Sequence, residues 1–159
     1  VAARAQTSSL EGVYSANADQ SERIDAAIEK AVAAMNFIKR PIARGRLKKT
    51  NPSYRQISIV RSDVQIEIQF DDRAPVQMPA NGSSVKWTRE DGETFDVNAD
   101  WEEGRLVQTF KAEDGQRVNT FRLGPDGSQL SLHVAISSPQ LPSPVEYTLD
   151  YQRKRVGTR

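Results

Sequence analysis

The sequence predicts a mainly β fold, an antiparallel up-and-down meander closing as a barrel of about 8–10 strands, with one N-terminal helix packed against it. Three patterns carry that expectation. Apolar residues recur with a period of two from Tyr54 to the C-terminus. Turn-forming pairs punctuate that alternation at even intervals. A period of 3.6 is confined to a stretch of about 20–40.

The β half reads most clearly. Val64, Ile66, Ile68 and Phe70 alternate with polar neighbours, as do Phe95, Val97, Ala99 and Trp101. The same holds for Leu130, Leu132, Val134 and Ile136, and for Val145, Tyr147, Leu149 and Tyr151. Each pattern is that of a strand with one buried face. Ser62-Asp63, Asn81-Gly82, Asp91-Gly92, Glu103-Gly104, Asp114-Gly115 and Pro125-Asp126-Gly127 supply the residues that tight hairpins need. With a short piece at Val76 to Met78, nine strands fit between residues 54 and 155. Nearly all links are short enough to be hairpins, so strands adjacent in sequence should pair. A meander of that kind removes its exposed edges by closing, whereas a sandwich needs longer crossovers.

Ahead of the meander, residues 1–9 are small and polar and read as a flexible terminus. The remaining 10–159 form a single domain, with a helical arm at 19–49 and the β-meander at 54–155. Leu10 to Ser15 suits one short strand. Asp19 with Glu22 has the spacing of a capping box. Ile24, Ile28, Ala31, Val32, Met35 and Ile38 then form an apolar stripe, which Pro41 should interrupt. A further turn or two of helix fits between Ile42 and Lys48, ending at Thr50-Asn51-Pro52.

Composition narrows the chemistry. Apolar residues make up 37% and charged residues 27%, a balance suited to a water-soluble globule. Without cysteine there is no disulfide scaffold, thiolate nucleophile or thiolate metal site. Ala3-Arg4-Ala5 has the small-x-small form of a signal-peptidase site, which points to export, periplasmic or secreted. The carboxylate pairs Asp71-Asp72, Glu90-Asp91, Glu102-Glu103 and Glu113-Asp114 all fall at turns, where general acid–base chemistry lacks a desolvated partner. Asp63, Asp71 and Asp72 lack the spacing of a calcium loop. His133, the only histidine, alternates with Leu132 and Val134 and should face outward, away from any interior haem or metal. The expectation is therefore no enzyme, no cofactor and no metal.

Two regions remain as candidate binding sites. The inward set of the barrel comprises Phe70, Met78, Trp87, Phe95, Trp101, Phe110, Phe121, Tyr147 and Tyr151, with Gln108 and Asn119 as inward polar groups that would orient a guest. These residues either fill the barrel or line a cavity. The second region is basic: eight cations and no carboxylate lie between residues 31 and 62, in a chain of net charge +1. Arg40, Arg44, Arg46, Lys48 and Lys49 are either a solvated helix end or a surface for an anionic partner. Nucleic acid is disfavoured, because no aromatic stacking array accompanies the cations. A membrane surface is disfavoured too, because the helix stripe is better used against the barrel.

Gly12-Val13-Tyr14 before the helix, Phe121 to Leu130 around Gly124-Pro125-Asp126-Gly127, and Val145 to Arg153 together resemble the lipocalin-like (calycin-type) barrels, in particular small exported bacterial members. The likeness extends over most of the chain from Leu10. Tyr14 stands in the aromatic position of the lipocalin glycine-x-tryptophan, and a long helical arm follows the first strand. The resemblance implies a non-enzymatic barrel binding a small apolar or amphipathic molecule. The alternative is a solid barrel serving as a scaffold that docks on a membrane or protein through its helix and basic segment.

Overall fold

The structure, a computed structural model, describes residues 10–154, so the Ala3-Arg4-Ala5 pattern and the terminal segment 1–9 lie outside the described residues. Strand β1 (Gly12–Ser15) is followed by helices α1 (Ser21–Val32) and α2 (Arg40–Thr50). Nine strands follow: β2 (Gln56–Arg61), β3 (Gln65–Phe70), β4 (Val76–Pro79), β5 (Val85–Thr88), β6 (Thr94–Glu102), β7 (Arg105–Ala112), β8 (Gly115–Leu123), β9 (Gln129–Ser137) and β10 (Val145–Arg153). They form one ten-stranded antiparallel sheet in the order β4-β3-β2-β1-β10-β9-β8-β7-β6-β5. The sheet rolls into a nearly closed barrel in which β1 stitches β2 to β10, and β4 and β5 meet across the remaining gap without a ladder. The nine strands expected of the second half are all present.

The helical arm differs from the sequence reading in three ways. Its first helix is shorter, because α1 ends at Val32 rather than near Arg40. Asn36 is the cause: its side-chain oxygen accepts the Ile38 N–H, and its carbonyl accepts the N–H of Lys39 and Arg40, turning the chain. Pro41 sits in the first turn of α2, where its missing N–H costs nothing, and so starts a helix instead of stopping one. The Asp19–Glu22 capping box does not form. Asp19 accepts from the N–H and hydroxyl of Ser21, and Gln20 is turned to the barrel, exchanging two hydrogen bonds with the Asp150 backbone. Ile24, Ile28, Ala31 and Val32 are buried where α1 packs on β10, whereas Ile38, beyond the helix end, is exposed.

The end of the barrel opposite the helices is closed by side chains. Arg153 stacks 4.9 Å over the Tyr14 ring and donates to the Glu11 carbonyl. Gly12 is required there: its φ is +147°, and a Cβ would lie 2.6 Å from the Arg153 Nη1. Nearby, Arg61 stacks 4.7 Å over Trp101. Trp101 is half-buried rather than fully interior, because its strand ends beside the Glu103-Gly104 turn where the barrel meets solvent.

Candidate functional site

Strand register sorts the inward residues into rows. One row runs Trp101, Leu106, Phe121, Leu132 and Leu149. The next runs Ala99, Gln108, Asn119, Val134 and Tyr147, and the one above it Val97, Phe110, Arg117, Ile136 and Val145. Leu106, Phe121 and Leu132 are wholly inaccessible, as are Ile66 and Ile68 on the facing wall. The barrel is therefore filled in its lower part. Above the middle row it opens into a cavity of about 730 Å³ beneath the end of α2, a volume in the range of small-molecule sites.

The cavity wall is aromatic. Trp87, Phe95 and Phe110 form a cluster with ring centroids 5.3–6.0 Å apart, and Tyr54 lies 4.6 Å from Phe70. Its floor is polar. Arg117 donates from Nε to Asn119 Oδ1 (3.1 Å) and from Nη1 to Asn51 Oδ1 (2.6 Å). Asn119 in turn donates to Gln108, whose amide reaches the Met78 sulfur. Tyr147 donates its hydroxyl hydrogen to the same Asn51 oxygen, at 2.9 Å, and burial holds its pKa above the ordinary value. Arg117 thus has only neutral oxygen acceptors: among the described residues no carboxylate lies within ion-pair distance of it. At the rim stand Arg46, Lys49 and Arg73, likewise without such a partner, facing one unpaired carboxylate, Glu90. Arg89 is committed to Asp91, whose carboxyl it and the Glu93 N–H hold down at about 2.

Of the inward residues named from sequence, Phe70, Trp87, Phe95, Phe110 and Asn119 line the cavity. Met78, Gln108, Phe121, Tyr147 and Tyr151 point inward but belong to the packed core, and Trp101 lies at the far end. Of the basic set, Arg46 and Lys49 reach the mouth and Lys48 is exposed. Arg40 and Arg44 are used within the arm: Arg40 caps the end of α1 through the Ala33 and Met35 carbonyls, and Arg44 forms a two-point pair with Glu29. Sequence reasoning missed Arg117, although it lies two residues before Asn119 on the same face of β8. It also missed Tyr54, Arg73 and Asn51, which sit in turns where alternation carries no information.

His133 faces outward as expected, bonded to Thr148 Oγ1 and Glu146 Oε1. This hydroxyl–imidazole–carboxylate chain lies on an open sheet face, with no cleft to exclude water. Asp71 spends its carboxylate on the N–H groups of Arg55 and Gln56. Among the described residues there is no group of three histidine or acidic side chains disposed to hold a metal, and no helix is long and apolar enough to cross a membrane.

Neither a known protein family nor a characterised sequence matches this chain. Its backbone is nevertheless shared. A secretary abundant heat soluble protein of Ramazzottius varieornatus superposes with a TM-score of 0.63 at 11% identity, covering 92% of this chain and 96% of that one. The fold is the calycin-type barrel. The lipid binding protein LBP-8 of Caenorhabditis elegans superposes at 0.58 with 12% identity, covering 92% and 96%, and human cRBP IV at 0.53 with 18% identity, covering 91% and 98%. At such identities the likeness establishes the calycin-type architecture and nothing finer.

Proposed function

We propose that this barrel binds a small amphipathic anion, its apolar part against Phe70, Trp87, Phe95 and Phe110 and its acidic head on Arg117. The observation that carries this reading is a half-buried guanidinium, without a counter-ion among the described residues, on the floor of an aromatic cavity. A guanidinium that is partly withdrawn from water and bonded only to neutral oxygens gains charge-assisted bonds from an anion that reaches it. The likeness to a lipid binding protein, LBP-8, supports a role in binding rather than catalysis. If the Ala3-Arg4-Ala5 pattern is used for cleavage, the protein carries its ligand outside the cytoplasm.

Dodecanoate and dodecanol, matched in chain length, test the reading by titration. The acid is expected to bind more tightly, and Arg117→Met to weaken it by about 10- to 100-fold, the worth of a charged hydrogen bond. The alcohol should be little affected. Equal affinities for acid and alcohol in the wild type would defeat the head-group assignment.

A second reading, docking of the helical arm on an anionic membrane, is favoured by Phe37, Ile38 and Ile42. They are 76%, 67% and 67% exposed, in an arm that also exposes Lys39, Lys48 and Lys49. Each cation near such a surface contributes about 1 kcal/mol, an attraction that salt screens. Sedimentation with phosphatidylserine vesicles is expected at low salt, with loss of binding in the Arg46→Gln, Lys48→Gln, Lys49→Gln variant. Failure to sediment with anionic vesicles would end this reading.

A further inference from the structure

The bonds made by Asn51 point to a latch. Asn51 ends α2 and is 3% exposed, one of three buried amide side chains among the described residues. Its amide nitrogen donates to the Leu47 carbonyl, one of the last-turn acceptors a helix leaves open. Its oxygen accepts from Arg117 on β8 and from Tyr147 on β10. One side chain thereby ties the end of α2 to two strands of the barrel.

Little else ties that helix to the barrel, for Arg40 and Arg44 bind it only to α1 and the turn before it. No residue of α2 is fully buried, and Ala43 and Leu47 pack only partly against the core. Its ion pair, Arg44 with Glu29, leads to α1 and is partly exposed, so it contributes little. Beyond Asn51 the chain is pinned again at Tyr54, whose carbonyl accepts from Tyr151. The weakly held segment is thus 40–51, and it carries Arg46 and Lys49 at the mouth of the cavity.

A guanidinium offers a carboxylate two forks, Nε with Nη2 or Nη1 with Nη2. Here Nε has its one hydrogen engaged by Asn119, and Nη1 has one of its two engaged by Asn51, so an acid that takes the end-on fork must share Nη1 with the Asn51 oxygen. Asn119 is fixed in a strand, fully buried and bonded onward to Gln108. Asn51 terminates a helix with no buried residue. A carboxylate, being ionised, is a stronger acceptor for this cation than a neutral amide. We propose that Asn51 and the acidic head of the ligand compete for Arg117, so that filling the site releases the end of α2 and the ligand itself loosens the cover over its cavity. This rests on the reading of Arg117 as the head-group site.

Competition requires reciprocity between the two binders. Asn51→Leu, which removes the competitor, should tighten dodecanoate several-fold and leave dodecanol unchanged. Asn51→Asp, which supplies a resident carboxylate, should weaken dodecanoate by about tenfold or more and again spare dodecanol. Amide hydrogen exchange across 40–51 supplies an independent readout: in the wild type dodecanoate should speed it and dodecanol should not. Weaker dodecanoate binding by Asn51→Leu would show that Asn51 positions Arg117 instead of competing for it, and would overturn the latch. So would exchange that dodecanoate slows or leaves unchanged. Neither probe binding the wild type would instead remove the head-group site on which the latch depends, an outcome distinct from both.

Discussion

Phe121→Ala is expected to lower the stability of the fold by about 3–5 kcal/mol, the usual cost of truncating a fully enclosed aromatic ring. Phe121 has no accessible surface, sits between Leu106 and Leu132 in its row, and lies 6.3 Å from Phe70, which borders the cavity above. Its neighbours belong to closed hydrogen-bonded strands and cannot collapse into the space, so most of the cavity cost persists. Trp101→Ala should cost less despite the larger ring, because Trp101 is half-buried and covered on one side only by Arg61. Denaturant midpoints for the two variants measure both. A loss below about 1 kcal/mol for Phe121→Ala would mean that the lower barrel is not packed around it.

How far the sequence discloses this molecule depends on what each signal measures. Alternation reports burial on one face of a strand, so Val134 and Leu149 could be placed without coordinates and His133 assigned to the outside. It cannot say whether an inward residue meets a neighbour or a void. Phe95 and Phe121 look equivalent in sequence, yet one lines the cavity and the other lies below it. That distinction arises from rows assembled across five strands, a long-range property. The break after Val32 was hidden for a different reason: Ala33, Ala34 and Met35 are good helix formers, and the turn is set by the side chain of one residue, Asn36. Arg117 was legible by parity. An arginine on an inward face conflicts with the expectation of an apolar interior, and such a conflict is where a binding site is to be sought.

Stability should fall steeply above pH 10, because three of the four tyrosines are buried hydrogen-bond donors. Tyr14 donates to the Leu10 carbonyl at 2.6 Å, Tyr147 to Asn51 at 2.9 Å and Tyr151 to the Tyr54 carbonyl at 2.9 Å. Burial raises all three pKa values; that of Tyr14 reaches about 12, with Arg153 opposing the rise. An unfolded tyrosine ionises near pH 10. Between that pH and the folded value the unfolded chain has released a proton that the folded chain retains, so stability present below pH 10 is lost as pH rises. Ionisation would also set a phenolate against the oxygen that had accepted its hydrogen. Each buried tyrosine adds a slope of up to about 1.4 kcal/mol per pH unit in this window. Denaturant unfolding from pH 8 to 12 measures the slope, and Tyr14→Phe should reduce it by about the contribution of one group. Tyr147→Phe should do the same and, by removing one of the two donors to Asn51, should also speed exchange in 40–51 at neutral pH. A slope untouched by either substitution would remove Tyr14 and Tyr147 as its cause.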